Sequence, residues 1–242
     1  MDLVLGGLSV FAASFLGGVT GFGYSLVATP LLLLTGYDLR FVVTVNLALA
    51  LVTRISVVVR FRRFASRRRV TLLVGGAIPG IWLGVAVLRA VDPTDIKIAA
   101  GIVAMIAAGL LARSVNAPPP RRSLPGAAAL AGFFGGFLGA STSLNGVAPV
   151  LLLARDKASP RSFLADLAIY FVCANAIGLA ILALRHTLDT NALAPAFLVW
   201  LPGSLLGNWL GTTLGPRLPE AGFRRLTLAV VFLAGGVTAL TA

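Results

Sequence analysis

The sequence predicts an all-α integral membrane protein made of two inverted repeats, each a broken or re-entrant helical hairpin followed by three transmembrane helices. Three observations carry this. Hydrophobic residues make up 58% of the 242 and charged residues 12%, about half the charged share of a soluble domain. The apolar residues fall into blocks of about 18–25 separated by short charged loops, which suits helices crossing hydrocarbon and not the alternating strands of about ten residues in a membrane barrel. The two halves also repeat one order of glycines and prolines. Apolar character continues to the C-terminus, so the first block reads as part of the protein and not as a cleaved signal peptide on a soluble one.

The first block, Leu3 to Thr35, holds Gly17-Gly18-Val19-Thr20-Gly21-Phe22-Gly23-Tyr24-Ser25, with Pro30 behind it. Glycines at this density cost about 1 kcal/mol each against alanine in a helix interior and mark a break. Phe41 to Val59 is a second block, closed by a run of arginines from Arg60 to Arg69. Val70 to Leu88, with Pro79-Gly80 inside, and Ile96 to Leu111 complete the first half. Pro118-Pro119-Pro120 cannot continue a helix, so 114–124, which also carries Arg121-Arg122, is the expected cytoplasmic linker between repeats 1–113 and 125–242. In the second half Pro125 to Ala154 holds another break, Gly135-Gly136-Phe137-Leu138-Gly139-Ala140-Ser141-Thr142-Ser143-Leu144-Asn145-Gly146, followed by Pro149. Phe163 to Leu184, Ala192 to Leu214 (with Pro202-Gly203) and Phe223 to Leu240 follow. Gly17-Gly18 matches Gly135-Gly136, Gly21 matches Gly139, Pro30 matches Pro149, Pro79-Gly80 matches Pro202-Gly203, and Ala108-Gly109 matches Ala234-Gly235. Several such matches in one order point to a duplication.

Charge orients the halves. If each glycine-broken block enters and leaves on the same side, fifteen Lys and Arg share one side and four (Arg40, Arg89, Lys97 and Arg185) the other. If each crosses once, the split is ten against nine. The excess of cations in cytoplasmic loops favours the hairpin arrangement and places both termini outside. Three crossings plus a hairpin then turn the second half upside down relative to the first, the pattern of secondary transporters. The blocks are short for two full spans, so each hairpin should dip to mid-membrane or consist of two short tilted helices.

The net charge of +12 is therefore read as loops facing anionic lipid and not as a nucleic-acid surface. Cys173 is the only cysteine and His186 the only histidine, which excludes an intramolecular disulfide and a Cys/His metal cluster. No cofactor is expected.

Irregular backbone inside a membrane survives only where protein or a watery cavity covers it, so the two breaks should meet near the middle of the bundle. A helix beginning at such a break offers N–H groups to an anion. The expected substrate-binding residues are Thr20, Gly21, Phe22, Gly23, Tyr24 and Ser25 in the first break, and Gly139, Ser141, Thr142, Ser143 and Asn145 in the second. Arg54 and Asn175 join them from within apolar blocks, and Asn46 and Asn208 are lesser candidates. The competing reading makes the small residues packing contacts between helices. Arg54 either forks two oxygens of an anion or snorkels toward Arg60. Seven of the eight acids lie in loops or at the termini, and Asp166 lies near the start of its block. A positive interior without carboxylates suits a small anionic substrate. Its export down a negative-inside potential gains about 2.3 kcal/mol per charge per 100 mV and needs no coupling ion.

The duplicated glycine pattern, with Pro30-Leu31-Leu32-Leu33-Leu34 and Pro149-Val150-Leu151-Leu152-Leu153 behind the two breaks, resembles the TauE/SafE family of sulfite and organosulfonate exporters. Pro79-Gly80, Leu83-Gly84, Pro202-Gly203 and Leu206-Gly207 extend the resemblance over essentially the whole chain. It implies a transporter, not an enzyme, of the bacterial inner membrane that exports sulfite, sulfoacetate or a related sulfonate. Where family members often carry a Thr-Ser pair and a histidine in the helix after the first hairpin, this chain has Val45-Asn46 and Thr53-Arg54 there and no histidine in that helix. The resemblance thus implies a substrate class and not a compound. The alternatives are a carrier or channel for another small anion, or an enzyme acting on lipid headgroups. Homodimerisation is an expectation from transporter size alone.

Overall fold

The computed structural model describes residues 3–92, 126–185 and 190–214, with 94–96, 98–99 and the single positions 102, 106 and 109. The 114–124 linker, the block at 223–240 and most of the block at 96–111 lie outside the described residues. Among the described residues the elements are α1 (Leu3–Thr20), α2 (Tyr24–Leu34), α3 (Leu39–Phe61), a 3-10 turn (Arg62–Phe64), α4 (Arg67–Ala90), α5 (Ala127–Thr142), α6 (Val147–Arg155), α7 (Pro160–Leu184) and α8 (Thr190–Leu214). Spans from α1, α3, α4, α7 and α8 are long and apolar enough to cross a membrane. The chain is a multi-pass membrane protein, and its elements among the described residues are all helical.

Local chemistry sets the ends. The Asp38 carboxylate accepts from the Arg40 N–H at 2.8 Å and starts α3. Ser159 does the same for α7 through the Ser162 N–H, with Pro160 as the first helical residue. Arg67, Arg68 and Arg69 form the first turn of α4 and not a loop, so the connection from α3 is shorter than the arginine run suggests. Pro79 and Pro202 sit inside uninterrupted helices.

Each hairpin has a long arm and a short one. At 1.5 Å per residue α1 and α5 are about 27 and 24 Å long, whereas α2 and α6 are about 17 and 14 Å. The short arms fall well short of a hydrocarbon core of about 30 Å.

The long arm of each hairpin packs on a helix of the other half. A Cβ at Gly76, Gly80 or Gly84 of α4 would overlap the carbonyl oxygen of Ala129, Phe133 or Phe137 of α5 in turn. The two helices therefore run parallel with their backbones in contact, the close approach that small residues at helix interfaces allow. In the same way Gly6 of α1 lies under Trp200 of α8, Phe11 against Gly207 and Phe15 against Gly211, again parallel. Between these pairs α3 and α7 cross antiparallel: Leu47 lies near Gly178, Arg54 over Phe171 and Phe64 under Arg161. One apolar cluster gathers α3, α4 and the second hairpin with α7. The other gathers the first hairpin with α3 and α8 around Trp200, whose indole N–H donates to the Leu3 carbonyl at 2.9 Å.

The glycine doublets turn out differently from the broken stretches expected. Gly17 and Gly18 remain helical in α1, and Gly135 and Gly136 in α5. Gly18 lets α8 approach at Asn208 and Gly211, and Gly136 lets α4 approach at Ala77. The irregular backbone is confined to 21–23 and 143–146.

Candidate functional site

The first turn is closed by its own chain. Thr20 Oγ1 donates to the Leu16 carbonyl at 2.9 Å and accepts from the Gly23 N–H at 2.9 Å, closing the turn between α1 and α2. Gly21 takes φ +84, where an L side chain would be strained. Tyr24 donates from its hydroxyl to Asn46 Oδ1 at 3.0 Å, and the Asn46 amide donates to Thr29 Oγ1 at 3.1 Å. This chain of buried hydrogen bonds fixes α2 against α3. Ser25 is buried on α2. The turn thus spends the Gly23 N–H and the Thr20 hydroxyl internally, against the expectation that they stand open to an anion.

Arg54 completes this region. It is 3% exposed, so it does not snorkel. Its Nη2 donates to the Gly17 carbonyl at 3.2 Å, near the C-terminal end of α1, and its guanidinium lies 5.6 Å from the centre of the Phe171 ring. Among the described residues the one ion pair is Arg69–Asp166, at 2.8 Å, and Asp166 also accepts from the Ser66 N–H at 2.7 Å. The apolar blocks outside the described residues contain no Asp or Glu. Arg54 therefore carries a buried positive charge with no carboxylate facing it.

The second turn is neutral and only partly satisfied. Ser141 and Thr142 donate their hydroxyls to Phe137 and Leu138 carbonyls one helical turn back, at 2.8 and 2.7 Å. Ser143, at φ +67, ends α5 through its N–H to the Gly139 carbonyl at 2.9 Å, and its buried hydroxyl has no partner. Asn145 donates to Asn175 Oδ1 at 2.6 Å, which leaves Asn175 Nδ2 buried and unpartnered. The Tyr170 hydroxyl is in the same position. Gly139 makes room for the Asn145 side chain. Asn145 and Asn175 line a cavity of about 10 Å³ with Gly136, Gly139, Leu47, Ile81 and Gly178, room for about one water.

The two turns meet. A Cβ at Gly146 would stand 3.4 Å from Phe22 Cβ and 3.2 Å from the tip of the Phe171 ring. Phe171 thus lies between Arg54 and the second turn, one helical turn before Asn175. Arg54 and Asn175 each stand sixteen residues after the residue that caps their helix, Asp38 and Ser159, and each reaches the hairpin of its own half.

Comparison with known proteins adds the decisive observation: the family model described as "Sulfite exporter TauE/SafE" matches residues 6–238. The chain belongs to the TauE/SafE family. No curated protein and no solved structure gives a significant match. For a TauE/SafE protein the arrangement has a plain chemical capacity: it presents one fixed cation and several neutral hydrogen-bonding groups, which suits an anion. Three parts of this region carried no sequence signal. Phe171 and Tyr170 are aromatic residues in an apolar helix, where packing is the ordinary reading. Asp166 looked peripheral, yet it is fully buried and ties α7 to the start of α4; only its pairing with Arg69 reveals that.

Proposed function

We propose that this TauE/SafE protein exports a small sulfur-containing anion, sulfite or a related sulfonate, held between the two hairpin turns near mid-membrane. The observation that carries the reading is Arg54, buried and without a carboxylate partner. An unpaired charge at such depth costs several kcal/mol, and an anion that binds beside it offsets that cost. The guanidinium fork matches two oxygens of a sulfonate or sulfite group. Thr20 to Ser25, Gly139, Ser141 to Ser143, Asn145 and Asn175 form the walls of the proposed site.

Transport follows by alternating access between inverted repeats 1–113 and 125–242. Support comes from helix directions. With α1 parallel to α8, α4 parallel to α5, and α3 antiparallel to α7, each helix of the first half runs opposite to its counterpart in the second. The small cavity, the Gly146–Phe22 approach and the Phe171 ring fit a closed intermediate in which neither side has access. The cation excess supports a reading with the arginine-rich loops in the cytoplasm and both termini outside, in a bacterial inner membrane. The membrane potential alone drives the anion outward.

Accumulation of radiolabelled sulfite in inverted vesicles tests the reading. Wild-type protein should accumulate it in response to an imposed potential, and Arg54→Ala should not. Equal accumulation by the variant would remove Arg54 from the site, and an obligatory pH gradient would remove the uncoupled mechanism.

A further inference from the structure

Charge balance narrows the substrate beyond its class. Of the acids in the chain, Asp166 is the one inside a described membrane-crossing helix, and Arg69 neutralises it. Among the described residues that leaves one buried charge without an opposite partner, the Arg54 cation. Every other polar group at the two turns is neutral: the Asn145–Asn175 pair, the unpartnered Ser143 hydroxyl, and the Tyr24–Asn46–Thr29 chain. Duplication has placed the cation in one half only. Asn175 stands where Arg54 stands in the other half, and it offers an unpartnered Nδ2 donor in place of a second charge.

We propose that this site selects monoanions, with Arg54 taking the single charge and Asn175 holding the site at one cation by being an amide. The inference rests on the exporter reading above. A bound monoanion leaves the closed bundle neutral at this point. A dianion leaves one negative charge buried with only neutral dipoles around it, and such a charge costs several kcal/mol. Amide and hydroxyl donors can still reach the uncharged oxygens of the substrate, so the second turn contributes hydrogen bonds and no charge. The preferred substrates are then hydrogen sulfite and simple alkanesulfonates. Sulfate and sulfoacetate, which carry two charges at neutral pH, are excluded although they share the same oxygens.

Competition against radiolabelled methanesulfonate in proteoliposomes tests this, with unlabelled methanesulfonate, sulfate and sulfoacetate as competitors. Both dianions should compete at least about tenfold more weakly than methanesulfonate, and one net charge should move per labelled molecule. Asn175→Lys should shift the preference toward sulfate by a similar factor. The wild-type competition stands even if that variant does not fold. Equal competition by the dianions, or two charges moved per molecule of sulfoacetate, would overturn the monoanion rule and leave the exporter reading intact. Failure to take up methanesulfonate and sulfite alike would overturn both.

Discussion

The two hairpin turns follow similar glycine patterns in the sequence and differ in opposite ways. The first is charged and its hydroxyls are paired: Thr20 closes the turn at Gly23, Tyr24, Asn46 and Thr29 form a hydrogen-bonded chain, and Arg54 donates to the Gly17 carbonyl. The second is neutral and unsaturated, with Ser143, Asn175 and Tyr170 all buried and lacking partners. Unpartnered polar groups in a buried site cost free energy. Their concentration around one turn fits the proposed site, where an anion would complete the hydrogen bonding. In this account the first turn is scaffold plus charge, and the second is the adaptable wall.

The largest effect should come from removing the charge. Arg54→Met should lower sulfite transport about a thousandfold while leaving membrane insertion equal or better, because a central arginine costs about 2.5–3.5 kcal/mol to insert. Parallel transport assays and expression in membranes check both halves of this statement. If both fell together, Arg54 would be structural.

Next in size is the contact that holds each hairpin to the opposite half. Gly80→Leu should destabilise the protein by about 3 kcal/mol, because its side chain must displace the Phe133 carbonyl. Gly75→Ala, one turn away and facing open space, should be neutral or stabilise by up to about 1 kcal/mol. Thermal unfolding in detergent separates the two, and equal shifts would contradict the parallel α4–α5 seam.

The seam also shows where sequence reasoning reached its limit. The hairpin positions were legible, because Gly21, Gly23 and Asn145-Gly146 disfavour helix whatever surrounds them. The doublets Gly17-Gly18 and Gly135-Gly136, which the sequence pattern puts in the breaks, are helical. Whether a glycine breaks a helix or admits a neighbour depends on that neighbour, and for Gly18 it is Asn208 and Gly211, far along the chain. Arg54 was ambiguous for the same reason: six residues from Arg60 it had a route to the surface, and only α1 and Phe171 around it decide that it stays inside. The unpartnered state of Ser143 and Asn175 is a property of packing that no residue pattern encodes.

Smaller effects sharpen the contrast between the turns. Thr20→Ala removes the hydrogen bond that closes the α1–α2 turn and should cost about 1 kcal/mol. Ser143→Gly should do the reverse, stabilising by about 1 kcal/mol, since it relieves a left-handed conformation and deletes a buried hydroxyl without a partner. The same substitution should weaken transport, because the hydroxyl is one of the groups a substrate would complete. Chemical or thermal melts paired with uptake rates test this opposition between stability and activity. A Ser143→Gly protein that is both less stable and fully active would reverse the roles assigned to the two turns.

The central claim is that an anion completes the buried charge at Arg54, and ligand-dependent stability in detergent measures it without requiring transport. A ligand that binds only the folded protein raises its stability in proportion to the logarithm of its concentration above Kd. The melting temperature of the wild-type protein should rise steadily with added sulfite at constant ionic strength, and that of Arg54→Gln should stay flat. An equal rise in both proteins would place the anion elsewhere and contradict the account.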